Sequence, residues 1–194
     1  MKKIYLNHLK KELRHRIPDE LTGFEFLAVK VPSADKQKSH LRTNEQIFAR
    51  NFNDKLLLFL CITPDIKQEA FWLEIGWSNR GRFPYDINFL LADIDETKSE
   101  FQKDEYVFNY NCLYALKKDK ALPSHSTWKV WQCSVPVNDP TYAAKFIAES
   151  LAPVSEEMAN QMVNQAINML IEDVKRIVLP YFEERIVHFL KTNS

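Results

Sequence analysis

The chain has 194 residues, enough to bury one sizeable core, and its 26 Lys and Arg residues balance 26 Asp and Glu. That balance excludes a global basic field able to recruit nucleic acid or an anionic membrane. With 45% hydrophobic and 12% aromatic residues, the composition is that of a globular protein rather than a disordered one.

In chain order, Leu6, Leu9, Leu13 and Ile17 recur at helical spacing, so residues 2–16 read as an amphipathic helix that Pro18 ends. Residues 24–31 alternate as a strand with Leu27, Val29 and Val31 on one face, closed by Pro32. The polar stretch 33–45 has no sustained period and reads as a surface loop or a short irregular helix. Residues 46–52 form a strand, Asn53-Asp54 a tight hairpin, and 56–63 a second strand that is apolar on both faces and therefore central. After Thr63-Pro64-Asp65, the sequence AFWLEIGW puts Phe71, Leu73, Ile75 and Trp77 on one face of a third strand, with Trp72 and Glu74 on the other. An antiparallel meander is the simplest topology.

Residues 86–120 are mixed and leave the secondary structure open: 86–101 are compatible with a helix, and YVFNYNCLYAL (106–116) reads equally as strand or buried helix. STWKVWQCSV (126–135) alternates as a further strand. Asp139-Pro140 starts a helix with an apolar stripe of Tyr142, Phe146, Ile147 and Leu151. Ser155 caps a longer helix whose core stripe runs through Met158, Met162, Ala166, Leu170, Val174, Ile177 and Val178. That helix ends or kinks at Pro180, and 181–191 form the last one. The fold expected is α+β, a mainly antiparallel sheet with an N-terminal helix and C-terminal helices packed on it. It forms one domain over 1–194, helix plus sheet over 1–135 and helical over 136–194.

No complete catalytic or metal motif is present. GxSxG, GxGxxG and the P-loop pattern are missing, and three glycines in all make a phosphate-cradling loop hard to build. His8 and His15 lie two helical turns apart but lack a third ligand, so they read as solvated. Ser124, His125 and Ser126 follow a proline and read as a turn. No cofactor and no metal are expected. Cys61, Cys112 and Cys133, odd in number and far apart, suit buried free thiols in a reducing compartment. Charges at Lys10, Lys11, Arg14 and Arg16 interrupt any signal-peptide core, and the apolar run 56–62 is far shorter than a membrane span. A cytoplasmic protein is expected.

The best candidate site is the strand and loop AFWLEIGWSNRGRFPYD (70–86). Trp72, Glu74, Trp77, Arg80 and Arg82 combine aromatic and arginine side chains, the types that dominate protein interfaces, and Gly81 lets the loop bend. The competing expectation buries Trp72 under the C-terminal helices and pairs Glu74 with an arginine. An enzymatic alternative, a metal-dependent hydrolase or nuclease, would draw its acids from Glu74, Asp93, Asp95 and Glu96.

GFEF (23–26), FAR (48–50), FWLEIGW (71–77) and IVLPYFEERI (177–186) occur in an order that resembles the bacterial domain-of-unknown-function 4304 family. The resemblance implies an α+β domain with no established catalytic residues. It also implies an immunity-like or defence-associated role, and hence a protein partner. The reading is a non-enzymatic protein-binding domain with no nucleic-acid or membrane partner, and with homodimerisation open through the apolar C-terminal helices.

Overall fold

A computed structural model describes residues 1–37, 39–65, 67–86, 94, 97–117, 129–133 and 154–193. The helix expected at 139–151, the Ser124–His125–Ser126 turn and the acids Asp93, Asp95 and Glu96 lie outside the described residues.

Helix α1 (Lys3–Glu20) buries Tyr5, Leu9, Leu13 and Ile17, one apolar side chain every four residues. It runs two residues past Pro18, because a proline in the last turn removes one donor without changing the φ that a helix needs, and Leu21 N–H closes the end on the Ile17 carbonyl.

The sheet follows as β1 (Glu25–Phe26), β2 (Gln46–Asn51), β3 (Leu57–Asp65), β4 (Ala70–Ser78) and β5 (Glu105–Asn109), in that spatial order and antiparallel throughout. A short β6 (Trp131–Gln132) pairs with the start of β4, next to the residues that β5 occupies. The ambiguous stretch divides in two, since Tyr110 begins α2 (Tyr110–Lys117) directly after β5. The strand expected over 24–31 is confined to two residues. Beyond Leu27, whose N–H still donates to Ile47, the chain leaves the ladder and lays Leu27 and Val29 across the sheet face. The turn between β2 and β3 is five residues, held by Asn53 Oδ1 accepting from the N–H groups of Lys55 and Leu56.

The two faces of the sheet carry different cores. Phe71, Leu73, Ile75 and Trp77 of β4 join Phe48, Leu58, Leu60 and Phe108 beneath α1 and the C-terminal helices. On the opposite face Ile47, Leu57, Phe59, Cys61 and Val107 are covered by Leu27, Val29, Leu41 and Phe83, which belong to loops. β3 is apolar on both sides for this reason.

The C-terminal arm is α3 (Glu156–Asp173), a π-helical turn (Val174–Val178) and α4 (Leu179–Asn193) without a break. Ser155 caps it by accepting from Met158 N–H, as expected. Of the expected stripe, Ala166, Leu170, Val174, Ile177 and Val178 are buried, joined by Ala159, Val163, Ile167 and Ile171, whereas Met158 is exposed and Met162 is partly buried. Pro180 does not end the arm. Leu179 N–H bonds back five residues to Val174, and this widened turn relieves the clash a proline ring makes with the carbonyl one turn earlier. No described helix is long and apolar enough to cross a membrane.

Candidate functional site

The five residues singled out in the sequence divide between the two faces of β4. Trp77 is fully buried on the helix side, at 5.5 Å from Phe101, 5.3 Å from Tyr106 and 6.3 Å from Tyr181, with its indole N–H donating to the Lys103 carbonyl. It is a core residue and is withdrawn from the candidate surface, because the pleat that turns Trp72 outward turns Trp77 inward. Trp72 is half-buried on the loop-covered face, so it is not the tryptophan that the C-terminal helices cover.

Glu74 lies on the same face as Trp72 and is 3% exposed. Both its oxygens accept from Arg42 Nη1, at 2.5 and 2.6 Å, and that guanidinium also stacks over the Trp72 ring at 5.5 Å. Glu45 accepts from the Thr63 hydroxyl at 2.9 Å and stands 3.8 Å from the same Arg42 nitrogen. Burial raises both carboxyls above their ordinary range; Thr63 and Arg42 oppose the rise at Glu45, and at Glu74 Arg42 opposes it while the Glu45 charge adds to it. Two carboxylates share one guanidinium here.

Beside them is a cavity of about 30 Å³ among Arg42, Glu45, Cys61, Glu74, Tyr85 and Val107. That volume suits one or two water molecules and no organic substrate. Burial, followed by the two glutamates, pushes the Cys61 thiol well up, which suppresses the thiolate a nucleophile needs.

The far end of the face holds Arg80 and Arg82, which flank Gly81 just beyond β4. At φ +64° this residue takes a left-handed turn, and a Cβ would stand 2.9 Å from the Asp54 carbonyl oxygen. Arg82 donates through Nε and Nη2 to Glu105 at 3.1 and 3.2 Å, and through Nη2 to Asp86 at 3.2 Å. Arg80 stands 3.5 Å from Glu105 and 4.0 Å from Asp104.

The loop then folds back over the sheet. Phe83 packs edge-on against Phe59 at 4.9 Å, Tyr85 lies under the Arg82 guanidinium at 5.6 Å, and His40 N–H donates to the Tyr85 carbonyl. Phe59 in turn needs Gly76, where a Cβ would come within 2.7 Å of its ring. Trp72 and Ser78, six residues apart on β4, span about 20 Å at about 3.3 Å per residue; Arg42 stacks on Trp72 at one end, and Arg80, Arg82 and Tyr85 gather beyond the other.

Arg42, Glu45, Tyr85 and Glu105 were not singled out in the sequence. The available signal was the isolated polar residues Thr63 and Glu74 on a face otherwise apolar, since a buried carboxylate requires a cation and the aperiodic 33–45 loop holds Arg42. Among the described residues no group of three or more His, Cys, Asp or Glu is placed to hold a metal ion. His8 bonds Glu156 at 2.5 Å and His15 faces Asp19 at 3.5 Å, each on its own. No family model matches the chain, and no curated protein or solved structure proved similar to it.

Proposed function

We propose that the chain is a non-enzymatic protein-binding domain whose contact surface is the outer strip of Trp72, Arg42, Tyr85, Arg82 and Arg80. The observation carrying this reading is the composition of that strip: Trp72 on β4 stands with Arg42, Arg80, Arg82 and Tyr85 on the loops beside it, and the carboxylates among them are already engaged. Such side chains bury large areas and still offer directed hydrogen bonds, which is why they dominate interface energetics. The cleft between them has room for water alone. The family resemblance favours a toxin or defence-associated protein of a bacterial cytoplasm as the partner.

The test is affinity capture from the native host with the wild-type chain and a Trp72→Ala, Arg82→Ala double variant whose circular dichroism matches wild type. Loss of a specifically captured protein is the expected result. Equal recovery by both forms removes the strip from consideration.

A further inference from the structure

A cavity of about 480 Å³ opens between α4 and the segment 97–102 that leads into β5. It lies against the helix-side core, away from the strip. Its volume falls within the ~300–1,000 Å³ of small-molecule sites. The wall is largely apolar: Phe101 is buried at its base, the His188 ring meets Phe101 edge-on at 5.8 Å, and Val187 is 50% exposed. Phe101 is itself held by Trp77 at 5.5 Å and Tyr181 at 5.1 Å, so a ring laid beside it extends an aromatic cluster already in place.

The charges of the lining cancel. Lys98 and Lys191 stand against Glu183 and Glu184, and Lys98 donates to Glu184. The cavity therefore has no net charge with which to select an ion.

One polar group of the wall lacks a partner. His188 Nδ1 is buried without a hydrogen bond, and no described residue bonds either nitrogen of the ring. Glu100 Oε2 and Arg185 Nε and Nη1, around Phe101, are unpartnered too, but of these groups only His188 lines the cavity. A buried polar atom left without a hydrogen bond is costly, and a ligand that supplies one recovers that cost. A hydroxyl both donates and accepts, so it suits either tautomer of the imidazole.

Independently of the protein-binding reading, we propose that this cavity binds a small uncharged aromatic molecule bearing one hydroxyl, its ring laid on Phe101 and Val187 and its hydroxyl bonded to His188.

The experiment is an amide NMR titration of the full chain with 2-naphthol, 2-naphthoate and 2-naphthylmethylammonium. It compares wild type with Val187→Lys and His188→Phe, each matched to wild type by circular dichroism. The expected result is saturable shifts at residues 97–102 and 183–191 with 2-naphthol, a Kd of about 1 mM or tighter, and weaker binding of both charged analogues. Val187→Lys should weaken 2-naphthol about tenfold by removing apolar contact, and His188→Phe about fivefold by removing one hydrogen bond while keeping a ring. Absent saturation, shifts centred elsewhere, tighter binding of either charged analogue, or binding unchanged in either variant overturns the proposal. None of these outcomes touches the strip, which stands or falls by host capture with the Trp72 and Arg82 double variant.

Discussion

Glu45 and Glu74 carry two negative charges against one Arg42 cation, in a site where burial raises both carboxyls above the ordinary 4.5. A raised folded-state pKa means that the folded chain binds more protons than the unfolded one. Stability from this pair is therefore greatest in acid and falls as pH rises from the unfolded value through the raised ones. Glu45→Gln keeps an oxygen to accept from Thr63 and removes one charge. Denaturant titrations should find the variant more stable than wild type at pH 7, with the difference vanishing towards pH 4. A variant less stable at pH 7 would mean that the Glu45 carboxylate is net favourable through Arg42, by its charge or by its second oxygen accepting from Arg42 N–H. At Gly76 the constraint is steric: a Cβ would stand 2.1 Å from the Tyr106 carbonyl oxygen and 2.7 Å from the Phe59 ring. Gly76→Ala should cost about 3 kcal/mol or more, the upper end for overpacking, read as a drop in urea midpoint. A loss under about 1 kcal/mol would contradict the β4–β5 register.

The elements differ in how they hold on. α1 and the C-terminal arm grip the sheet through long apolar stripes, whereas the opposite face is covered by loops tied at a few points: Arg42 to Glu74, Phe83 to Phe59 and Tyr85 to His40 and Asp35. Ser155 supports the arm's first turn alone, since its hydroxyl oxygen accepts from Met158 N–H. Ser155→Ala should lower stability by about 1 kcal/mol and Tm by about 2–4 °C, with binding through the strip unaffected. An unchanged Tm would show that the cap is redundant. The strand alternation of β4, the two-sided apolarity of β3 and the Ser155 cap were legible because local periodicity and capping chemistry determine them. The shortness of β1 and the exposure of Met158 were not, because each depends on which surface the element meets in three dimensions. The same limit hid Arg42, thirty-two residues from the Glu74 that it neutralises.

On the scale of the whole molecule, the sheet separates two jobs. One face carries the large core, in which Trp77 and the buried Arg185 sit among aromatic rings. The other carries a thin apolar layer, a cleft for water and the charged aromatic strip. Helical structure stabilises the first face and leaves the second to the loops 39–45 and 80–86, which are the natural place for recognition on a rigid scaffold. Amide hydrogen exchange of the chain with and without its captured partner measures this division directly. The account predicts slowed exchange at residues 40–45 and 80–86, with α3 and α4 unchanged. Protection confined to the exposed faces of α3 and α4, around Met169, Val187 and Leu190, would contradict it.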